Sequence, residues 1–453
     1  MLTLETVQRA TNTASARAFV EDRLAGTGWT LARIRRTWVR LQPPKAYWAT
    51  YKVRAERAAS AGKGGQAREP ERRELTLVIR ACFDSEDWRA YRSWLTELYG
   101  EADCDPIKGL GYPVLVDESQ HARWFYPVDP TLPTLADAND SRLVSKLLTP
   151  RRYSAKTPRP RIRVELLRYV PEVSAAIRYH IVDRPGAAER VVYGKVYRGG
   201  MGLALHTAMQ QLWQLSQERP DLLTVPRPVA YDHDLRLHLE EAVAGVPVDS
   251  DRTEPRFLAA ALAAADALAV MHDSSAIDTE EELPIVPEID RLAQVAEQLA
   301  LVHPPAHALM LALVKQLRSR LAKVPAEELV VTHGDMKYDQ FLDDNGRFGL
   351  VDFAELGRSE TSWDLGKWCG HAVPSMPETW EESFGAEEAR LAFLARYREL
   401  RPHATMQRFA LYESVHLANR AMVLMWGQVT NWEEAAESLL ALAMERLRSP
   451  LPV

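Results

Sequence analysis

Residues 330–368 carry the most informative pattern in the chain, and they read VVTHGDMKYDQFLDDNGRFGLVDFAELGRSETSWDLGKW. The β-branched run 330–332 predicts a buried strand that leads into a polar His-Gly-Asp loop. A tight turn is expected at 343–346, because its Asn-Gly pair tolerates positive φ. The strand 348–351 then ends in Asp352, so this stretch predicts a hairpin beside the loop.

This hairpin is expected to bring two carboxylates and one amide to the same end of a small sheet: Asp335, Gln340 and Asp352. One carboxylate can orient and deprotonate an attacking hydroxyl, while the other and the amide oxygen can hold Mg²⁺, which prefers oxygen ligands. Each fragment alone is a weak signal, since any strand exit or turn can contain it. The joint spacing, followed by Trp-Asp-Leu-Gly, is specific and points to phosphoryl transfer.

The order of His-Gly-Asp, an amide five residues later and a strand ending in Asp-Phe resembles the aminoglycoside phosphotransferase and choline kinase superfamily. The resemblance covers residues 161 onward. It implies an α+β, bilobal protein-kinase-like fold, with an antiparallel-sheet small lobe over a mainly helical large lobe. It also implies ATP and Mg²⁺ as cofactors.

The same resemblance assigns roles to residues of the motif. Asp335 is the implied catalytic base, and Lys337 lies where protein kinases carry a lysine that binds the γ-phosphate. Gln340, at a position that usually holds Asn, and Asp352 are the implied Mg²⁺ ligands. Two further residues are implied as structural supports of the site: His333 and Asp364.

Composition excludes several other classes of protein. The chain has 453 residues, 46% of them hydrophobic, which suits two or three domains with large cores. A formal net charge of −6 calls for neither a nucleic-acid nor a membrane partner. Its 3 cysteines form no Cys-x-x-Cys pair, and the N-terminus lacks a signal pattern. We therefore expect a cytoplasmic protein, and the sequence leaves its oligomeric state open.

Residues 1–155 are expected to form an α+β N-terminal cap domain. The predicted elements are a helix over 2–24, strands over 29–41, 47–55 and 75–83, a helix over 85–99 capped by Ser85, and strands over 112–116 and 122–126. A mobile loop over 57–73 and an extended basic linker over 150–160 are also predicted.

The element order of the cap domain recurs in residues 161–240. One hypothesis is that the cap is a degenerate copy of a kinase small lobe, in which Arg80 occupies the position of Lys195. The alternative is that both regions are ordinary α+β units with similar periodicity. The region offers no chemistry of its own under either interpretation.

The predicted small lobe, 156–245, contains the expected nucleotide contacts. The turn 170–174 would cover the ATP phosphates but has no glycine, and Ser174 is its candidate contact. Lys195 interrupts an apolar strand and matches the kinase lysine that contacts the α- and β-phosphates. Its helix partner is missing, since the helix 203–215 offers only glutamine where kinases have glutamate. The resemblance implies adenine binding by the hinge backbone of three residues: Glu240, Glu241 and Ala242.

The predicted large lobe, 246–453, is mainly helical. Helices are expected over 257–272, 289–302, 307–321, 386–401, 406–429 and 433–448, and Pro304-Pro305 is expected in a loop. In the superfamily the last three line the acceptor pocket. Three residues at helical spacing are therefore candidates to face the acceptor, with an interhelical or solvated role as the alternative: Glu413, His416 and Arg420.

The resulting prediction is an ATP-dependent small-molecule kinase. It would transfer the γ-phosphate to a hydroxyl of a sugar, an aminosugar, an aminoglycoside-like compound or an amino alcohol. The alternative is a nucleotide-binding pseudokinase with a regulatory or scaffolding role, favoured by Gln340, the missing glutamate and the glycine-free turn. The retained Lys195, Asp335 and Asp352 count against it.

Overall fold

The computed structural model describes residues 4–42, 45–58, 70–100, 113–148, 160–199, 201–248, 251–376 and 380–448. Two predicted segments lie largely outside the described residues: the central part of the loop predicted to be mobile, 59–69, and nearly all of the predicted basic linker, 150–159. The described part is an α+β protein. Its elements are given below in chain order.

The N-terminal domain is built on a five-stranded antiparallel sheet with the order β1-β2-β3-β5-β4. Two helices stand where one was predicted, because Asn12 interrupts the helix and caps its second part by accepting a hydrogen bond from Ser15 N (2.8 Å). The N-cap of the third helix is Asp84 and not the predicted Ser85. The elements are α1 Leu4–Ala10, α2 Thr13–Leu24, β1 Thr30–Gln42, β2 Ala46–Arg57, β3 Glu71–Cys82, α3 Ser85–Tyr99, β4 Val114–Val116 and β5 His121–Phe125.

A second five-stranded antiparallel sheet follows with the order β6-β7-β8-β10-β9. It therefore has the topology of the first sheet, and in both a long helix follows the third strand. Lys195 and Arg80 each lie two residues before the end of that strand. The elements are α4 Leu135–Ala138, α5 Ser141–Leu148, β6 Arg161–Val170, β7 Ser174–Val182, β8 Arg190–Tyr197, α6 Met201–Glu218, β9 Pro228–Asp232 and β10 Leu237–Glu241.

The remaining chain is mainly helical. Pro304 and Pro305 begin a helix and do not form the predicted loop, since a proline is tolerated in the first turn, where N–H groups have no helical acceptor. The elements are β11 Val246–Pro247, α7 Pro255–His272, α8 Ile285–Val302, α9 Pro304–Leu321, β12 Leu329–Thr332, β13 Phe341–Asp344, β14 Arg347–Leu350, β15 Gly357–Glu360, α10 Ser362–Ala372, α11 Trp380–Leu400, α12 Phe409–Gly427 and α13 Trp432–Arg448.

Helix α7 has the length and apolar composition of a membrane-crossing segment. Most of its residues are buried inside the protein, as expected for a core helix. It packs with α10 and α11 in one helical core, and α8, α9, α12 and α13 form a second.

The two cores meet where α10 crosses α12. A Cβ at Gly366 would lie only 2.6 Å from Glu413 N, so this close approach requires glycine. The crossing fixes α10 beside the His-Gly-Asp loop. The fold class predicted from the sequence is confirmed: an antiparallel-sheet small lobe, a mainly helical large lobe and an additional α+β N-terminal domain.

Candidate active site

The site lies around the predicted hairpin, β13–β14, whose turn has Asn345 and Gly346 at φ +54° and +88°. Strand β12 pairs with β15 and not with the hairpin. Gly334, at φ +82°, is required by the His-Gly-Asp loop, because a Cβ there would clash with the carbonyl oxygen of Glu355.

Asp335 is held between two lysines. Lys337 Nζ lies 2.6 Å from Asp335 Oδ2, and Lys367 Nζ lies 3.0 Å from Oδ1. Burial alone would raise the pKa of Asp335, but Lys367 and Lys337 together hold it well below its usual value. The carboxylate is therefore ionised throughout the neutral range.

Sequence reasoning missed Lys367. The signal that could have identified it is its spacing from Asp364, since residues three apart on a helix lie on the same face. Because Asp364 was already expected to support the catalytic loop, a lysine on the same face of α10 could be expected to reach that loop.

Gln340, the predicted metal ligand, contacts the catalytic loop directly. Its Nε2 donates to Asp335 Oδ2 at 3.3 Å, and its Oε1 accepts from Lys337 N at 2.9 Å. An amide oxygen has a second lone pair, so this contact leaves one acceptor direction for a cation.

Asp352 follows β14 in a left-handed conformation, at φ +70°. Such a backbone is uncommon outside glycine and concentrates at functional sites. Lys195 Nζ lies 3.4 Å from Asp352 Oδ1, so the small-lobe lysine faces the cleft and meets the carboxylate predicted to bind metal.

Glu240 is the second partner of Lys195, at 3.1 Å between Nζ and Oε1. Burial alone would lower the pKa of Lys195, but Glu240, Tyr197 and Asp352 raise it above its usual value. Burial would raise the pKa of Glu240, but Lys195 and His238 lower it to about 2. Strand β10 therefore supplies a carboxylate partner for Lys195, in place of the helix glutamate that kinases have.

The hinge prediction assigned only backbone roles to this segment and missed the ion pair of Glu240. The next residue, Glu241, uses its backbone N–H in a 2.9 Å hydrogen bond to Arg227 O and pairs its carboxylate with the Arg227 side chain. Ala242 follows and is exposed. A polar chain also runs from Glu240 through His238 to His206 on α6, at 3.3 and 3.2 Å.

The two residues predicted as structural supports, Asp364 and His333, hold the His-Gly-Asp loop in place. The carboxylate of Asp364 accepts hydrogen bonds from His333 N (2.7 Å) and Gly334 N (3.0 Å). The His333 ring contacts Val351 O through Nε2 at 3.1 Å and lies tilted against the Phe353 ring, with 4.5 Å between the ring centroids. Burial lowers the pKa of His333, so the ring is neutral and its Nε2 donates.

The candidates on α12 do not form an acceptor-binding triad. Glu413 is fully buried and accepts two hydrogen bonds from Arg390, at 2.5 and 2.7 Å. Arg420 binds the carbonyl oxygen of Val373 (2.6 Å) at the C-terminal end of α10. The interhelical alternative is therefore correct for both. His416 is buried with its ring at a right angle to Trp363.

Glu355 follows Asp352 in the chain and lines a neighbouring cavity. Burial and the nearby Asp335 raise the pKa of Glu355. A cavity of about 700 Å³ lies between the N-terminal domain, β6 and α12, and Glu355 lines it. Other lining residues are Thr37, Arg40, Lys52, Arg168 and Trp426.

The oxygen atoms of Asp352 and Gln340 suit a metal ion that is also bound by phosphate. Asp352 and Gln340 offer oxygen atoms, the donors that Mg²⁺ prefers, on the two sides of the hairpin. Within the described ranges no three His, Cys, Asp or Glu side chains form a complete metal site. These residues therefore fit an ion that would take its remaining ligands from phosphate and water.

Comparison with known proteins gives one match to a family model, over part of the chain. The family model described as a phosphotransferase enzyme family, APH, matches residues 195–412, which include Lys195, Asp335, Gln340 and Asp352. No curated protein sequence matches the chain.

Solved structures give weaker likenesses. A choline/ethanolamine kinase family protein from Mesorhizobium loti is 16% identical, with 70% of this chain and 96% of that chain covered and a TM-score of 0.45. Aminoglycoside phosphotransferase APH(4)-Ia is 15% identical, with 69% and 99% covered and a TM-score of 0.45. These TM-scores are low, so the assignment depends on the family model. Its match to residues 195–412 confirms the resemblance to the phosphotransferase enzyme family, APH, that was seen in the sequence.

Proposed function

We propose that this protein is an ATP- and Mg²⁺-dependent phosphotransferase that phosphorylates a hydroxyl group of a small molecule. The observation that carries the proposal is the position of Lys195, whose Nζ lies 3.4 Å from Asp352 Oδ1 in the cleft. In phosphoryl transfer, the lysine that binds the nucleotide phosphates must lie beside the carboxylate that binds their metal.

The nucleotide would lie between β8 and the hairpin. Lys195 would move from its carboxylate partners to the α- and β-phosphates. Asp352 and Gln340 would hold Mg²⁺, which neutralises charge on the phosphates when it is bound. Ser174, half-buried at the start of β7, stays the predicted contact from the turn.

Asp335 would orient the acceptor hydroxyl. Its lowered pKa makes it a hydrogen-bond acceptor at every physiological pH but a weak proton acceptor. The transition state of phosphoryl transfer is loose, so the hydroxyl proton can pass to Asp335 late, as the bond to phosphorus forms. Catalysis would then depend mainly on positioning and charge neutralisation.

The acceptor would occupy the cavity of about 700 Å³ beside Glu355. Among its described lining residues Arg40, Lys52 and Arg168 are basic, while Glu355 is acidic. This balance favours a neutral or anionic hydroxylated metabolite, such as a sugar, over a polycationic aminoglycoside or an amino alcohol.

The test is a screen of purified protein with Mg·ATP and neutral, anionic and cationic hydroxylated metabolites. Asp335→Asn keeps the shape of the side chain but removes its charge. We expect it to lower kcat about 10²- to 10⁴-fold while the Kd of Mg·ATP changes little. An Asp335→Asn variant with unchanged kcat would refute the catalytic assignment.

A pseudokinase is the second candidate, and one observation favours it: Lys337 and Gln340 both bind Asp335 Oδ2, so an acceptor hydroxyl would have to compete with them for this oxygen. A protein that binds Mg·ATP but phosphorylates nothing across the screen would support this alternative. Turnover lost in Asp335→Asn would exclude it.

A further inference from the structure

The turn that was expected to cover the nucleotide is held by the N-terminal domain. Glu172, at the tip of the β6–β7 turn, extends its carboxylate into the first sheet. Glu172 Oε1 accepts a 2.8 Å hydrogen bond from Tyr91 OH, and Oε2 accepts one of 2.8 Å from Trp48 Nε1. Arg80 Nε lies 3.2 Å from Oε2, and the two side chains are only 16% and 11% exposed.

The backbone of the turn is fixed as well. Glu172 has φ +62°, a conformation that glycine adopts freely but that costs other residues about 1 kcal/mol or more. Its N–H donates to Asp129 Oδ2 at 2.8 Å, and Tyr169 OH donates to the same oxygen at 2.7 Å. The other oxygen of Asp129 accepts from Thr131 N at 2.8 Å.

These contacts change what the turn can offer a nucleotide. A glycine-rich loop binds phosphate through free backbone N–H groups. Here the N–H of Glu172 binds Asp129, and the N–H of Val173 binds Val170 O at 3.0 Å. The turn can therefore contribute a fixed surface, and the side chain of Ser174 at its end, but not these two donors.

We propose that the N-terminal domain acts as a clamp on the nucleotide-covering turn, with Glu172 as the positioning residue. The carboxylate of Glu172 pairs with Arg80 of the first sheet. Arg80 holds the same position in the third strand of that sheet as Lys195 holds in the second sheet. Because the clamp already orders the turn, less conformational entropy is lost when nucleotide binds. A turn without glycine has few backbone N–H contacts with phosphate that could offset this loss. This inference depends on the proposed function, because it assumes that nucleotide binds under the turn.

The test compares variants that break the clamp with one that breaks an unrelated buried contact. Glu172→Gln places an amide NH₂ against the donors of Tyr91 or Trp48, and Arg80→Met removes the cation. We expect either to raise the KM for ATP on the order of tenfold, with little change in kcat at saturating ATP. The conservative Arg80→Lys should restore part of the affinity.

Tyr179→Phe is the matched control. It removes a buried hydrogen bond of the same lobe, from Tyr179 OH to Ala138 O at 2.7 Å, without touching the turn. We expect it to lower the Tm but leave the KM for ATP unchanged. Hydrogen exchange of the peptide 169–176 gives a readout independent of turnover, and it should become faster in Glu172→Gln and stay unchanged in Tyr179→Phe.

Calorimetric titration of the wild type with Mg·ATP separates this inference from the proposed function. A wild type that binds no nucleotide refutes the function itself. If the wild type binds but Glu172→Gln matches it in KM and exchange, the clamp is refuted. A lower KM in Glu172→Gln would also overturn it, since the contact would then hold the turn away from the nucleotide. Equal effects in Glu172→Gln and Tyr179→Phe would show that the Glu172 contact contributes only to the general stability of the protein and would refute the clamp.

Discussion

Replacing Glu240 by Gln tests the unexpected ion pair of Lys195. The substitution preserves the size of the side chain and removes its charge. Lys195 would keep Asp352, at 3.4 Å, as a partner, but that carboxylate is 40% exposed whereas Glu240 is 7% exposed. We expect Lys195 to lose its buried partner and to pair with the more exposed Asp352 alone, so that its position toward the phosphates is less well fixed.

The magnitude follows from the burial of the pair. Breaking a buried ion pair by removing one partner costs roughly 3–5 kcal/mol. The remaining contact with Asp352 and one hydrogen bond to Gln offset part of this, so we expect the free energy of unfolding to fall by about 2–3 kcal/mol. The pKa of Glu240, which Lys195 and His238 lower, has the direction that this loss requires, because the folded protein favours the charged carboxylate.

The pH dependence of stability gives a second readout of the same ion pair. A carboxylate with a lowered pKa contributes stability that is complete above its unfolded pKa and is lost as the pH falls through the folded pKa. The stability difference between wild type and Glu240→Gln should therefore be full above pH 4.5 and shrink as the pH approaches 2.

The assay is urea unfolding at several pH values, together with calorimetric titration with Mg·ATP. Glu241→Gln is the control, because Glu241 follows on the same strand but pairs with Arg227 at the surface, where the two side chains are 43% and 52% exposed. It should change stability by about 0–1 kcal/mol. Glu240→Gln should also raise the Kd of ATP about 10- to 100-fold. Equal effects of the two substitutions would refute the reasoning.

Three further predictions concern the catalytic loop. Lys367→Met should raise the lowered pKa of Asp335 and move the acid limb of the kcat–pH profile to higher pH, and an unmoved limb would contradict the contact. Asp364→Asn should lower the free energy of unfolding by about 2–4 kcal/mol in urea titration, because two buried N–H groups depend on its carboxylate; a change below about 1 kcal/mol would refute that role. Gln340→Asn should preserve or raise turnover in a steady-state assay, since Asn is the usual ligand of the family, and complete loss of turnover would show another role for Gln340.

Local chemistry made much of the site predictable. The Asn-Gly turn fixed the hairpin, and the hairpin fixed Gln340 and Asp352 on either side of it. Helix boundaries were less certain where neighbouring residues compete for one role. Asp84 and Ser85 are both good N-cap residues, and in the structure Asp84 takes the role by accepting hydrogen bonds from Glu86 N and Asp87 N.

Pairing between distant segments could not be predicted in the same way. Lys195 and Glu240 meet because β8 and β10 are neighbours, although the helix α6 and the strand β9 lie between them in the chain. The helix face that Lys367 shares with Asp364 points it toward the His-Gly-Asp loop, but its 3.0 Å contact with Asp335 depends on how α10 packs against that loop. Such contacts depend on the register of the strands and the crossing of the helices, and no short sequence window contains either.

The shared topology of the two sheets makes the difference between their cations informative. In each sheet the third strand places a cation two residues from its end, and a carboxylate meets it: Glu240 for Lys195, and Glu172 for Arg80. Arg80 Cζ lies over the Tyr91 ring, 3.4 Å from its centroid, and a guanidinium held between a ring and a carboxylate suits a permanent contact. Lys195 is a point charge on a flexible stem between two carboxylates, so it can exchange one anion for another. We therefore expect the first sheet to keep the anion of its own chain, and the second to exchange a carboxylate of its own chain for a ligand.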